Sequence, residues 1–508
     1  MIMEPIFKTD KRLRLGIWGL GRGASFIKAA KELNIDVVAG CDTNPIMREQ
    51  FRKSCPDAFI TADDTEFLAY KDMDAVLVAT FFPSHAEHSI RALEAGFHVM
   101  CEVTSFTTPG EGVRLVEAVE KSGKVYNLLE NYPFTKENMY LEKLWKEGYF
   151  GEFQYGEFNY MHNCRMFSYK YCLPPDFPPI EPGYTVHAWR SWLNFHYYNT
   201  HSLGPMMKIT GLRPVRVTAP PTSVSLPGFI PESENAKAAV SLIQMSNGGV
   251  MRNLIGTSTS DSHADKRIWG TKAAAESLGH GLHIRLGATG YGPNVHVEPQ
   301  WPSFGDFADQ AGHGGGDFWE LYYFAREVLE NVPAPWNIYE SCDVTLAGIM
   351  AVRSQEADGQ PMEIPDFRDK AVREQFRNDF RGMTRSFDPQ KIFPEGHDTT
   401  ITSRFNFLMV NIEKLAMDLR TALDGTAIYE QIKDPADRIV ILETLKKARQ
   451  QVPELVQYMN EANEIAARYP ECLASEALKS MMSLADTNGR DPAELLDEKL
   501  DWALTVKR

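Results

Sequence analysis

Gly19-Leu20-Gly21-Arg22-Gly23-Ala24 reads G-x-G-x-x-[GA], placed directly after an apolar run and directly before a helix-length stretch. In that setting the pattern predicts a dinucleotide site. Gly19 allows the tight turn, Gly21 lets the backbone approach a pyrophosphate, and Ala24 lets the first helix pack closely with its N-terminus toward the anion. Arg22 and Gly23 complete the loop. Asp42 follows Gly19 by about 20 residues, where a carboxylate accepts the adenosine ribose hydroxyls and repels a 2′-phosphate, which selects NAD over NADP. A glycine-rich turn without a ligand is the alternative reading.

Further along, Tyr160 and His162 stand two apart in a strand-like run, so they share one face and suit sugar binding or proton transfer. A solvated strand face is the bland alternative. Tyr198 and His201 stand three apart at the start of an apolar helix. An imidazole there takes a hydroxyl proton as hydride leaves the same carbon, with the phenol assisting, unless His201 merely caps the helix. Glu130 ends a parallel strand at the ligand-binding edge, orienting a hydroxyl or the nicotinamide ribose, or else forming a salt bridge. In Gly312-His313-Gly314-Gly315-Gly316-Asp317 the glycines allow a ligand close to His313, a substrate-binding candidate. Asp317 with Glu320 fits a capping box, which reads Asp317 as a cap rather than a catalyst. His187, His196, His280 and His283 show no metal-ligand spacing, and no metal is predicted.

The elements that must position these groups alternate regularly from Leu13 to Glu130. Strands are predicted at Leu13 to Gly19, Asp36 to Asp42, Asp74 to Thr80, His98 to Glu102 and Lys124 to Glu130, with helices at Gly23 to Leu33, Ala86 to Ala95 and Glu111 to Lys121. This is how a doubly wound parallel sheet reads. After a helix at Lys136 to Glu147 the period becomes strand-like at Glu152 to Met161. It recurs at Val215 to Thr218, Ala238 to Met245, Val250 to Gly256 and His283 to Leu286, a mostly antiparallel open sheet. Helices at Phe318 to Glu330 and Ile338 to Gln355 are expected to cover one face of it. From Asp369 the chain reads as helical, with Leu408, Ile412, Leu415 and Leu419 forming an apolar stripe predicted to dock on the second domain. The organisation expected is α/β: a Rossmann domain over 1–131, a second α/β domain over 132–368 and a helical extension over 369–508.

Composition narrows the function further. The 53 Lys and Arg against 68 Asp and Glu leave a net charge of −15, which disfavours nucleic acid and anionic membranes and favours a small-molecule partner. The apolar runs are far shorter than the ~20 residues a membrane helix needs. Seven scattered cysteines without a C-x-x-C pair, and no apolar signal segment before Leu13, lead to the expectation of a cytoplasmic protein with reduced thiols.

Thr80-Phe81-Phe82-Pro83-Ser84-His85 and the run Ala92 to Glu102 resemble the Gfo/Idh/MocA oxidoreductases. The resemblance spans roughly Leu13 to Phe367 and implies a Rossmann domain, an open-faced α/β domain, NAD and a homo-oligomer; Thr80, His85 and Glu102 are placed on the nicotinamide side by resemblance alone. Two departures stand out. Glu102 is followed by Val103 and Thr104, where most of that family has Lys and Pro, and a second-domain motif with two aspartates maps onto Tyr197, Asn199, His201 and Gly204, where the histidine survives and both aspartates are gone. These departures are similar to the branch resembling glycoside hydrolase family 109, the NAD-dependent α-N-acetylgalactosaminidases. Leu129-Glu130-Asn131, Tyr160-Met161-His162, Tyr198 to Pro205 and Gly312 to Asp317 carry that likeness, which implies Asn131 as a substrate contact. It implies a carbohydrate glycoside as substrate, hydrolysed by transient C3 oxidation, elimination, water addition and re-reduction. A 3-dehydrogenase that releases NADH and a catalytically silent NAD-binding regulator remain the alternatives at this point.

Overall fold

The computed structural model describes residues 6–163, 194–229, 233–256, 263–279, 281–287, 290–382 and 399–506. The loop carrying His187, Trp189 and Trp192 lies outside these residues, as does His280.

Six strands form a parallel sheet: β1 (Leu13–Trp18), β2 (Ile35–Cys41), β3 (Phe59–Thr61), β4 (Ala75–Val78), β5 (His98–Glu102) and β6 (Tyr126–Leu129). Their order is β3-β2-β1-β4-β5-β6 with every pair parallel. The order reverses between β1 and β4, and in such Rossmann sheets ligands bind outside the carboxyl ends of the strands at that reversal. All four residues of β4 are buried, as expected for a sheet covered on both faces. The helix Pro109–Ser122 starts on a capping box in which Thr108 and Glu111 satisfy each other's backbone N–H groups, and it stops at Gly123 in a left-handed conformation. The strand β3 has three residues, too few to show a period. The helices Pro45–Ser54 and Asp64–Ala69 are likewise absent from the periodic pattern; they begin at Asn44 and Asp63, whose side chains accept from the next free N–H groups.

A second sheet contains β7 (Phe153–Met161), β8 (Pro214–Thr218), β9 (Ala239–Met245), β10 (Val250–Gly256), β11 (Lys266–Gly270), β12 (Ala274–Ser277), β13 (Leu282–Arg285), β14 (Asn294–Val297) and β15 (Met362–Glu363). The order is β14-β13-β12-β11-β7-β10-β9-β8-β15, antiparallel except where β7 meets β10. The helices Thr200–Thr210 and Ile338–Glu356 pack against this sheet. The helix Gly316–Glu330, expected on the same sheet, packs instead against β1 and β6 of the parallel one. This placement carries Asp317 and Glu320 to the ligand edge of the first sheet.

Both sheets belong to one compact unit; a second unit holds the helices from Thr399 onward and the segment around 224–236. In that second unit the helices Thr399–Ile428, Pro435–Arg468, Leu473–Met482 and Pro492–Thr505 share a core. Leu408, Ile412, Leu415 and Leu419 are buried there with Leu445, Val452, Leu455, Leu478 and Met481. The stripe therefore closes on its own helices rather than on the second sheet, because the 34-residue helix Pro435–Arg468 supplies a matching apolar face. Ile412→Ala is expected to destabilise this unit by about 2–4 kcal/mol, read by urea unfolding, while NAD affinity stays unchanged. No helix among the described residues is long and apolar enough to cross a membrane.

Candidate active site

The turn after β1 has the shape a dinucleotide needs. Gly19 adopts φ +94°, and a Cβ there would meet the Ala79 carbonyl oxygen at 2.2 Å, so only glycine fits. A Cβ at Gly21 would meet nothing within 4 Å, which leaves open space over the backbone for a pyrophosphate. The tight helix-to-sheet contact falls on Gly23, whose Cβ would strike Ile17 at 2.5 Å, and not on the half-buried Ala24 as its motif position predicts. The cause is a 3-10 turn over Gly23–Phe26 that shifts the start of the helix to Ile27.

Asp42 stands just past β2. Its Oδ2 accepts the Leu20 N–H at 2.7 Å and its Oδ1 the Asn44 N–H at 2.8 Å. Burial pushes its pKa up, and these two donors pull it back. Each oxygen keeps a lone pair for a ribose hydroxyl, so the residues fit NAD. Asp42→Ala is expected to weaken NAD binding and to relax the exclusion of NADP, measured by titrating both cofactors.

The groups picked out for proton chemistry come together. Nδ1 of His201 lies 2.8 and 3.0 Å from the two carboxylate oxygens of Glu130, with both side chains buried. Donation from Nδ1–H to Glu130 leaves the lone pair on Nε2, the form of imidazole that accepts a proton. His201 thus faces a carboxylate and does not cap its helix. The Tyr132 N–H also donates to Glu130, at 3.2 Å. The helix Thr200–Thr210 reaches this close because residue 204 is glycine: a Cβ there would press on Glu130 Cγ at 3.1 Å and on Trp336 at 3.4 Å.

Aromatic rings surround the dyad. Tyr160 and Tyr198 each lie edge-on to His201 with ring centres 4.7 Å apart, and Tyr160 stacks on His162 at 5.8 Å. Tyr132, absent from the sequence candidates, is central: its ring is 4.8 Å from His201, 5.1 Å from Tyr160 and 6.4 Å from His313. The available signal is its place in the short turn that follows β6, two residues past Glu130.

Beside this cluster Arg22 closes a clasp. Its Nε donates to Glu102 Oε1 at 2.7 Å, while Nη1 and Nη2 donate to Asp317 Oδ2 and Oδ1 at 2.9 and 2.8 Å. Asp317 also faces His313 Nδ1 at 3.0 Å and the Asn131 amide at 3.5 Å. Burial raises the Asp317 pKa, but His313 and Arg22 outweigh it and hold the group down at about 2. Asp317 is therefore not the helix cap. That position is Gly315, so the capping-box register is lost and Glu320 has no cap to reach. Gly312 and Gly316 permit the loop, since a Cβ would meet Asp317 Oδ2 at 2.5 Å or the Asn131 carbonyl at 2.4 Å.

His85 does not present a ring nitrogen to a ligand. Nδ1 lies 2.9 Å from the Thr104 carbonyl and Nε2 3.1 Å from the Thr80 carbonyl. Burial lowers its pKa, yet Cys101 and these carbonyls bring it to about 9, a cation tying two strand ends together. The Thr80 hydroxyl is paired with His88 Nδ1 at 2.7 Å.

Residues 13–129 match the Gfo/Idh/MocA oxidoreductase family, NAD-binding Rossmann fold, and residues 294–373 match the C-terminal domain of glycosyl hydrolase 109. The chain thus carries a match to the first family in its parallel-sheet region and a match to the second further along. Gly19, Arg22, Asp42 and Glu102 belong to the Rossmann match and His313, Asp317 and Glu320 to the glycosyl hydrolase 109 match, so the Arg22–Asp317 clasp ties the two together. A glycosyl hydrolase family 109 protein of Saccharopolyspora erythraea is 26% identical over 409 residues, covering 72% of this chain and 85% of the relative. An α-N-acetylgalactosaminidase of Tannerella forsythia is 24% identical over 411 residues, covering 72% and 88%. Among solved structures, levoglucosan dehydrogenase in complex with NADH and levoglucosan superposes with a TM-score of 0.58 at 17% identity, over 70% of this chain and all of that one.

Proposed function

We propose that this NAD-dependent enzyme hydrolyses carbohydrate glycosides by transient oxidation at C3 of the sugar. The observation that carries the reading is the His201–Glu130 dyad, ringed by Tyr132, Tyr160, Tyr198 and His162, next to a turn built for a dinucleotide. The relatives called glycosyl hydrolase family 109 and α-N-acetylgalactosaminidase support a glycoside as substrate.

NAD, held at Gly19 to Gly23 and Asp42, supplies acceptance and return of one hydride at the sugar C3. His201 Nε2 takes the C3 hydroxyl proton while Nδ1–H stays on Glu130, so the imidazolium forms beside a carboxylate that stabilises it. Tyr198 assists that transfer. The C3 carbonyl acidifies the C2 hydrogen, and Tyr160, stacked on His162 and acting as the phenolate after giving its own proton to solvent, removes it as the anomeric group leaves from C1. Water adds at C1, its spare proton balancing the one taken up by the departing aglycone oxygen, C2 regains a proton from the same tyrosine, and His201 returns its proton to the C3 oxygen. The route needs no pair of carboxylates facing each other across the scissile bond, unlike ordinary glycosidases.

A panel of aryl and natural glycosides, assayed with NAD, tests the reading. The aglycone is expected to be released without net NADH absorbance. NADH rising one for one with substrate consumed would instead establish a dehydrogenase that stops at the 3-keto product, and no turnover on any glycoside would refute the proposal.

A further inference from the structure

Glu320 lies one helical turn beyond Asp317, is 4% exposed, and has no hydrogen-bond partner for either carboxylate oxygen. The charged groups acting on it come from its own helix and from three strand ends. They are Asp317, Arg22 after β1, Glu102 at the end of β5 and Glu130 just past β6. Arg22 is the cation of this group, and its guanidinium is already occupied, Nε by Glu102 and both terminal nitrogens by Asp317. Glu130 is engaged with His201. A further negative charge here would have no counter-charge of its own. Burial first, then the neighbouring Asp317 carboxylate, pushes the Glu320 pKa well above the ordinary range.

An apolar residue would fill this space and hold the clasp at every pH. An acid makes the hold conditional, because once ionised it competes with Asp317 and Glu102 for Arg22 and sets a negative charge beside the turn that must receive a pyrophosphate. We propose that Glu320 is a positioning residue that must remain a neutral acid for Arg22 to stay clasped between Glu102 and Asp317, so that its ionisation loosens the dinucleotide turn and weakens NAD binding. The proposal rests on the dinucleotide site and is independent of which reaction the sugar undergoes.

Calorimetric titration of the full chain with NAD, from about pH 6 to about pH 9, tests it on wild type, Glu320→Gln and Glu320→Met. Wild-type affinity is expected to fall about tenfold across the range, the size of one added charge near an anion site at intermediate dielectric. Both neutral variants are expected to bind as wild type does at the low end and to lose that fall. His85 titrates in all three proteins, so the comparison isolates position 320. Identical pH profiles for wild type and Glu320→Gln would overturn the proposal, as would weaker binding by the neutral variants at pH 6. If neither neutral variant yields folded protein, the wild-type titration decides alone, and an NAD affinity that does not fall with rising pH overturns the proposal.

Discussion

His201→Ala is expected to lower turnover by about 10²–10⁴-fold, the usual contribution of a positioned general base, with NAD still bound. Glu130→Gln is expected to lose a similar amount although it keeps the size of the side chain. The carboxylate of Glu130 accepts from Nδ1 at 2.8 Å and keeps the Nε2 lone pair toward the site. An amide there holds the ring in either tautomer and no longer stabilises an imidazolium. Steady-state rates on the best glycoside of the panel, beside NAD titrations of each variant, separate this loss from a cofactor defect. A Glu130→Gln variant with wild-type turnover would remove the dyad from the mechanism.

Asp317→Ala is the second large effect. It strips a buried, bidentate partner from Arg22 and the Nδ1 partner from His313, leaving Arg22 with the Glu102 carboxylate and the Ser25 hydroxyl. Breaking a buried pair from one side costs about 3–5 kcal/mol, because the remaining charge stays buried without its partner. The pH dependence has a definite sign. The folded-state pKa of Asp317 is lowered to about 2, below its unfolded value, so its contribution is present above the unfolded value and is lost as pH falls through the folded one. That contribution is about 2–3 kcal/mol, and the wild type should give it up between about pH 4 and about pH 2. Urea unfolding across this window should show wild type and Asp317→Ala converging at the acid end. Parallel curves would mean that Asp317 is not ionised in the clasp.

Much of this arrangement was legible in the residues. The glycine turn, β1, β2, β4, β5 and β6, and the strand β7 carrying Tyr160 follow from periodicity and turn chemistry, which act over a few neighbouring residues. His201, Tyr198, Tyr160 and His162 were legible one at a time, as types at strand or helix spacing. What was not legible depends on long-range packing. Arg22 and Asp317 are 295 positions apart, and only the docking of the helix Gly316–Glu330 on β1 and β6 makes them partners. The same docking turns Asp317 and Glu320 from a capping pair into an anchor and a buried acid. Tyr132 is not legible because a tyrosine followed by proline in a short turn carries no period or motif of its own. Its contact with three rings exists only once the turn after β6, β7, the helix at His201 and the turn at His313 converge. In the helical unit the stripe was visible, but the surface that covers it was set by a neighbouring helix rather than by local pattern.

The most direct test of the central claim is hydrolysis of a cleavable glycoside in deuterium oxide, with the released sugar examined by proton NMR and mass spectrometry. Oxidation at C3 followed by elimination requires that the C2 hydrogen leave and be replaced from Tyr160, which exchanges with solvent, so the product should carry deuterium at C2 and none introduced at C3. A released sugar with its original hydrogen at C2 would contradict the mechanism outright.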